Sequence, residues 1–215
     1  PAIVAADYPL EKAAERIVVG KLLNAGQTCI APDYVLVPAG REQAFVEAAR
    51  AVVAKCWPEL GSTPDYTAIV NERHYQRLQS YVEDARQRGA RIEPLSAAQP
   101  DAARRCLPPL ALLDVNDEMR VMQDEIFGPL LPVLPYRDLD AAIAWVNQHP
   151  RPLALYYFGN DGAQRDRVLE ETVAGGVTIN DTILHIAQEN LPFGGVGPSG
   201  MGHYHGSEGF KTFSK

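Results

Sequence analysis

Apolar residues recur at helical spacing near the start of the chain. From Leu10 onward they fall at positions 10, 13, 14, 17, 18 and 22, on one face of a helix. Gly26 follows at a point where a left-handed residue would stop that helix. The same kind of spacing predicts four more helices, over 41–55, 72–87, 138–147 and 164–172.

Short apolar runs between these helices predict strands. They lie at 34–37, around Ile92, and at 110–113, 131–134, 153–158 and 177–179. Strands that alternate with helices in this way are typical of the α/β class, with a largely parallel sheet and helices on both faces. We therefore expect one domain over 1–215, although the stretch after Ile179 is rich in glycine and departs from this rhythm.

Composition narrows the classes of protein that fit. The chain has 215 residues, 46% hydrophobic and 22% charged, which is ordinary for a globular domain. A net charge of -7 argues against nucleic acid as a partner. No apolar run is long enough to span a membrane, no basic-then-apolar pattern suggests a leader, and there are only three cysteines. These features predict a cytoplasmic protein without a membrane partner. Because the chain begins at Pro1 and enters an apolar run at once, we expect it to be a piece of a longer protein.

Cys29 is the first candidate for chemistry. It ends the run Asn24-Ala25-Gly26-Gln27-Thr28-Cys29, on a loop between a predicted helix and a predicted strand. A thiol is a strong nucleophile, but the C-terminal dipole of the preceding helix would disfavour its thiolate. Activation would then come from another helix N-terminus, a base acting through water, or a bound cationic cofactor. A catalytic and a structural thiol are both consistent with the residues alone, whereas Cys56 and Cys106 are interpreted as packing residues.

A second candidate is the run Asp124-Glu125-Ile126-Phe127-Gly128-Pro129. In an extended segment, Glu125 and Phe127 would point the same way, because residues two apart share a face. Such a pair suits a sugar hydroxyl and a flat ring. The alternative is a solvated acid next to a core phenylalanine.

The glycine-rich run from Leu191 to Gly202 contains G-x-G-x-x-G at Gly195, Gly197 and Gly200. A dinucleotide fingerprint must follow a strand and open a helix. Prolines interrupt this run and no helix-forming stretch is evident after it. We interpret it as a loop that allows close backbone approach.

The histidines give weaker signals. His203 and His205 have alternate spacing, but no further ligand nearby completes a metal site, so we expect no metal. His185 could line a pocket. His149 and His74 are predicted to lie at the surface.

Taken together, these motifs resemble the catalytic domain of the aldehyde dehydrogenase family. The run ending at Cys29 resembles its nucleophile segment, and Glu125 to Pro129 resembles the stretch that meets the nicotinamide ribose. The closing loop of the family is similar to Pro192 to Gly195 together with Ser199 to Gly202. The resemblance covers essentially the whole chain, and the last forty residues look most like the class 3 and coniferyl aldehyde branch.

The resemblance implies oxidation of an aldehyde to a carboxylic acid through a thiohemiacetal and a thioester on Cys29, with the main-chain N–H of Cys29 binding the oxyanion. NAD or NADP would be the cofactor, with Glu125 on its ribose and Phe127 against its nicotinamide. Phe193 would lie beside the aldehyde in the substrate pocket. Full-length relatives of this kind are homo-oligomers, so we expect the same of the parent protein.

The sequence also lacks parts of the family pattern. The general-base glutamate, the asparagine of the oxyanion hole and the nucleotide-binding domain would all precede Pro1. The 215 residues would then be a catalytic-domain fragment that does not turn over by itself. Two alternatives remain open: a non-catalytic domain of the same fold, and an enzyme that passes the thioester to coenzyme A instead of water.

Overall fold

The computed structural model describes residues 1–214, and it shows a seven-stranded sheet between two layers of helices. The strands are β1 (Ala2–Val4), β2 (Val35–Pro38), β3 (Arg91–Pro94), β4 (Leu110–Leu113), β5 (Leu130–Tyr136), β6 (Ala154–Phe158) and β7 (Gly176–Ile179). The helices are α1 (Leu10–Leu22), α2 (Glu42–Cys56), α3 (Glu72–Gln87), α4 (Arg120–Gln123), α5 (Leu139–Gln148), α6 (Gly162–Glu171) and α7 (Gly206–Thr212). The strand order is β3-β4-β5-β2-β1-β6-β7, and only β3 and β4 pair antiparallel. The predicted fold class is confirmed.

Both faces of the five central strands are buried, which explains why these strands are almost continuously apolar. In β1, Ala2 and Val4 face a large core that includes α1, α2 and α3, whereas Ile3 faces a smaller core with α5 and α6. The same alternation places Tyr156 and Phe158 of β6 in the large core. Successive strand residues point to opposite faces, so each residue finds a helix to pack against.

Asparagine and aspartate side chains begin three of the helices. Asn71 accepts a hydrogen bond from the His74 main-chain N–H at 3.0 Å, at the start of α3. Asp138 does the same for Ala141 at the start of α5, and Asp161 accepts from two N–H groups of α6. These caps satisfy main-chain donors that a helix leaves free at its first turn.

Apart from the end of α1, the predicted elements are present with bounds within two residues, and α3 and β4 agree to the residue. Three elements were not predicted. The central strand β1 has only three residues, α4 has four, and α7 lies in a glycine-rich stretch. The expectation that no helix follows the glycine-rich loop was therefore wrong, because α7 begins four residues after Gly202.

The two remaining cysteines differ from each other. Cys106 is 6% exposed and packs in the large core, as predicted. Cys56 is exposed, so its interpretation as a packing residue was wrong. The reason is that the buried face of α2 ends at Val53, and the last turn has left the core. Among residues 1–214, no helix combines the length and the apolar character that crossing a bilayer requires.

Candidate active site

The amino ends of the parallel strands meet at a cavity of about 470 Å³. The segments that precede β1, β2, β5 and β6 all contribute to its wall, and Pro198 and Ser199 reach it from the glycine-rich loop. Cys29, Glu125 and Phe127, which were predicted separately, all line this one cavity. The structure therefore brings the candidate nucleophile and the candidate cofactor residues together.

The segment that leads to Cys29 has an unusual backbone. After α1 ends at Leu22, Asn24 and Ala25 have φ of 54° and 52°, and Gly26 has φ of 76°. A Cβ on Gly26 would lie 2.3 Å from the carbonyl oxygen of Gly128, so only glycine fits there. Gly26 was predicted to stop the helix, but the helix ends four residues earlier. The absence of a side chain at Gly26 instead permits direct backbone contact between the Cys29 and Glu125 segments.

Gln27 fixes this segment from within. Its side chain is 9% exposed, and its amide nitrogen donates to the carbonyl oxygens of Asn24 and Ala68, both at 3.1 Å. Its amide oxygen accepts from the main-chain N–H of Val70 at 2.8 Å. These bonds join the nucleophile segment to the residues that lead into α3.

Tyr156 of β6 holds the other side of Cys29. Its buried hydroxyl donates a hydrogen bond to the carbonyl oxygen of Ile30, the residue after the thiol. Burial is the main cause of the raised pKa of Tyr156, so the hydroxyl stays protonated and remains a donor. Cys29 is exposed between buried Gln27 and buried Ile30. A fixed backbone thus presents an open thiol to the cavity.

The Glu125 segment reaches the cavity differently from the prediction. The premise of an extended segment was wrong, because Phe127 has φ of 48° in the left-handed region. Glu125 is nevertheless exposed, Phe127 is partly exposed, and both line the cavity. Gly128 is needed next to them, since a Cβ there would lie 2.4 Å from the Leu78 side chain.

Helix α3 holds this unusual turn in place. The guanidinium of Arg77 donates to the carbonyl oxygens of Glu125 and Ile126, at 3.0 and 2.6 Å. On the same helix, the hydroxyl of Tyr81 donates to Asp124 at 2.8 Å. The two Arg77 bonds satisfy main-chain carbonyl groups that the turn leaves without strand partners. They also support the strained φ of Phe127, which the surrounding structure must maintain.

Two charged residues that were not predicted lie beneath these segments. Lys21 is 2% exposed, and its Nζ lies 3.8 Å from Oδ1 of Asp33. Burial lowers the pKa of Lys21, whereas Asp33 and Glu125 oppose that change. A signal existed in the sequence: position 21 falls on the apolar face of α1, where a charge must have a partner.

The charges around Glu125 act in opposite directions. Desolvation in the cavity raises the pKa of Glu125, and Asp33 raises it further. Arg77 and Lys21 lower it. The carboxylate is therefore poised between a neighbouring acid and two cations.

Phe193 lies outside the cavity wall. It is 6% exposed and stacks between the rings of His185 and His205, each with its centroid 5.9 Å away. Main-chain bonds to Tyr204 in both directions close the glycine-rich loop on itself. The glycine run thus forms a closed loop between Phe193 and Tyr204. The position of Phe193 beside the aldehyde stays a prediction.

The other histidines also differ from the expectations. His185 is 6% exposed, and its Nδ1 lies 2.9 Å from Oγ1 of Thr178, away from the cavity. His149 was predicted at the surface, but it is half-buried and lines the cavity. Its ring nitrogens contact the Trp145 carbonyl at 2.7 Å and Asp117 at 3.0 Å, so hydrogen bonds draw it inward. Within residues 1–214, no three His, Cys, Asp or Glu side chains are grouped to hold a metal ion.

Comparison with known proteins agrees with this arrangement. The model of the aldehyde dehydrogenase family matches residues 1–215, so the chain belongs to that family. A probable coniferyl aldehyde dehydrogenase of Pseudomonas aeruginosa is 61% identical over 215 residues, covering 100% of this chain and 44% of the relative. The resemblance to the coniferyl aldehyde branch is thereby confirmed. The chain spans less than half the length of that relative.

Two solved structures support the same assignment. The substrate-bound state of Staphylococcus aureus AldH has a TM-score of 0.91 at 42% identity, covering 99% of this chain and 46% of the other. A Mycobacterium tuberculosis aldehyde dehydrogenase complexed with NAD+ has a TM-score of 0.86 at 27% identity, over 100% and 44%. The fold is therefore shared with members of the family.

Proposed function

We propose that this chain is the nucleophile-bearing catalytic domain of an NAD(P)-dependent aldehyde dehydrogenase, which oxidises an aldehyde to a carboxylic acid. The observation that supports it is the exposed thiol of Cys29 in one cavity with Glu125 and Phe127. The name of the Pseudomonas aeruginosa relative suggests an aromatic aldehyde of the coniferyl class as substrate.

Cys29 performs the covalent step. Its thiolate sulfur bonds to the aldehyde carbon, and the carbonyl electron pair moves to oxygen, which gives a thiohemiacetal oxyanion. The main-chain N–H of Cys29 donates to this oxyanion, and a fixed donor of this kind lowers the barrier by about 3 kcal/mol. Loss of hydride from the same carbon re-forms the C=O bond as a thioester. Water then adds, and the carbon–sulfur bond breaks to release the carboxylate and a proton and to restore the thiol.

Glu125 and Phe127 are the residues that would hold the cofactor. A carboxylate suits the hydroxyls of a ribose, and an aromatic ring suits a flat nicotinamide. When bound, the nicotinamide accepts the hydride, and the neighbour complexed with NAD+ supports this class of cofactor. The fixed turn around Glu125 and the fixed segment of Cys29 would keep hydride donor and acceptor close, which is a large part of catalysis.

The general base is assigned to a segment outside the 215 residues. We infer that the parent protein supplies a glutamate and a nucleotide-binding domain, and that these residues alone do not turn over. A purified 215-residue chain that oxidised an aromatic aldehyde with NAD at the rate of the full-length protein would refute this.

The experiment uses the full-length parent and two alanine variants of exposed cysteines. Cys29→Ala should lower aldehyde-dependent formation of NAD(P)H by about 10⁴-fold or more, as expected for loss of a nucleophile. Cys56→Ala is the matched control and should leave the rate unchanged. No NAD(P)H formation in any of the three proteins would indicate the non-catalytic alternative, and equal measurable rates would show that Cys29 is not the nucleophile. Product appearing as a thioester only when coenzyme A is added would indicate the acylating one.

A further inference from the structure

We infer that buried Lys21 and partly exposed Asp33 form a positioning pair that holds the Glu125 segment in place against the nucleophile segment. The inference rests on the proposed function, because it gives Lys21 and Asp33 a role in cofactor binding through Glu125. Lys21 lies in the last turn of α1, and Asp33 follows Cys29 by four residues. Neither residue belongs to the motifs that pointed to the reaction.

Asp33 contacts the cofactor segment directly. Its Oδ1 accepts a hydrogen bond from the main-chain N–H of Ile126 at 3.3 Å, and it faces Nζ of Lys21 at 3.8 Å. The carboxylate also lines the cavity. Asp33 is therefore a link between the backbone beside Cys29 and the backbone beside Glu125, in addition to the contact of Gly26 with Gly128.

Packing alone does not explain why a charged residue lies at the buried position of Lys21. Among residues 1–214, its Nζ has no hydrogen-bond partner, so its interactions are the longer-range ones with Asp33 and Glu125. A methionine would fit the apolar face of α1 without the cost of desolvating an ammonium group. Replacing buried ion pairs by apolar residues often leaves proteins as stable or more stable. The ammonium is thus better explained by its electrostatic attraction to the carboxylates of Asp33 and Glu125.

Those carboxylates share one cavity and repel each other. The charged groups that face Glu125 are Asp33, Arg77 of α3 and Lys21 of α1. Without Lys21, Asp33 would be an uncompensated neighbour that favours protonation of Glu125. Asp33 would also lose the charge that orients it towards the N–H of Ile126. Both effects would weaken binding of the cofactor ribose by Glu125, and neither acts directly on the thiol of Cys29.

The test compares Lys21→Met, Asp33→Asn and the double variant in the full-length protein. We expect Lys21→Met to raise the Kd and the KM for NAD(P) by about 10- to 100-fold, the range typical of residues that orient a ligand-contacting group. The change in kcat should be smaller than the change in KM, and the rise in KM should grow as the pH falls. The double variant should recover part of the lost affinity, because it removes the unpaired carboxylate as well as its partner.

Lys55→Met is the matched control. Lys55 lies 3.7 Å from Glu15, but both side chains are exposed, so its loss should not change cofactor binding. Lys21→Arg keeps the charge and should bind NAD(P) more tightly than Lys21→Met. If Lys21→Met does not fold, the comparison of Lys21→Arg with the double variant makes the same distinction.

Several results would overturn the inference. One is a Kd for NAD(P) in Lys21→Met equal to that of the wild type and Lys55→Met. Another is a fall in kcat with an unchanged Kd, or a double variant no better than Lys21→Met. Because Kd is measured by calorimetry without substrate, these outcomes are separate from a failure of the proposed function, in which the wild type would bind NAD(P) without oxidising any aldehyde.

Discussion

The nucleophile segment and the glycine-rich loop both border the cavity, but they are held in different ways. Gln27 and Tyr156 tie the first segment to residues 41 and 126 positions away in sequence. The second is closed mainly on itself, by the bonds between Phe193 and Tyr204 and by those between Val196 and Ser199. Met201 in that loop is 97% exposed. The candidate nucleophile is thus held by long-range bonds to other elements, whereas the glycine-rich loop is a local structure that can vary without disturbing the sheet.

Among the tests of this difference, Gln27→Leu should have the largest effect, because Gln27 holds the segment that carries Cys29. The substitution keeps the size of the side chain but removes its bonds to the Asn24 and Ala68 carbonyls and to the Val70 N–H, so the link to the residues that lead into α3 is lost. We expect kcat/KM of the full-length protein to fall about 100-fold, since small misplacements of a reacting group have effects of that size. Gln87→Leu, which removes only an exposed bond to Glu83, is the control and should have wild-type kinetics. Wild-type kinetics for Gln27→Leu would show that the thiol is positioned by other contacts.

A pair of glycine substitutions separates backbone strain from close approach. Gly26 and Gly40 both have positive φ, at 76° and 84°, but a Cβ on Gly40 would have nothing within 4 Å. Each Gly→Ala change should cost about 1–2 kcal/mol of unfolding free energy for the left-handed backbone. Gly26→Ala should cost about 1–3 kcal/mol more because it crowds Gly128. Denaturant unfolding measures both values, and equal losses would contradict the contact between the two segments.

Tyr156→Phe tests the other support of the thiol. It removes the bond to the Ile30 carbonyl, which stays buried. We expect a loss of about 1–3 kcal/mol in unfolding free energy, and a fall in kcat with little change in the KM for NAD(P). Tyr204→Phe, in the half-exposed loop, should have a smaller effect on both quantities. A larger loss of kcat in Tyr204→Phe than in Tyr156→Phe would show that the glycine-rich loop, and not Tyr156, matters more for positioning the thiol.

The smallest expected effect is on the pH dependence of the unfolding free energy, through His185 next to the glycine-rich loop. Burial lowers the pKa of His185, which packs on Phe193. Its folded pKa lies below its unfolded value of 6.5, so the unfolded state binds the proton first as the pH falls. The unfolding free energy should therefore decrease below that pH, by at most about 1.4 kcal/mol per pH unit. His185→Gln should flatten this slope, and His203→Gln, at an exposed position, should not. Identical slopes in the wild type and His185→Gln would show that the loss has another origin.

Sequence periodicity was sufficient for most of the fold because the helices are amphipathic and the strands are apolar on both faces. It failed where an element is too short to show a period. In β1, three residues were enough for a central strand because β2 and β6 supply its partners. Strand β5 also continues through Pro135 to Tyr136, where pairing with β2 outweighs the local preference against proline.

The motifs predicted the three cavity residues but not what holds them. Gln27, Tyr156 and Arg77 act on backbone groups 41 to 126 positions away, as in the bond from Tyr156 to Ile30. Such long-range bonds leave no local pattern in a single sequence. Lys21 is the exception, since a charge on an apolar helix face could have been noticed. The turn at Phe127 could not have been predicted, because its left-handed φ depends on hydrogen bonds from Arg77 in α3, which is distant in sequence.

The most direct test of the account is to look for the covalent intermediate. The full-length protein is mixed with NAD(P) and an aromatic aldehyde, quenched with acid, and digested for mass spectrometry of the three cysteine peptides. The account predicts the acyl mass on the peptide with Cys29, while Cys56, which is also exposed, and buried Cys106 stay unmodified. Oxidation of the aldehyde with acyl mass on another cysteine, or on none under conditions that trap thioesters, would contradict it.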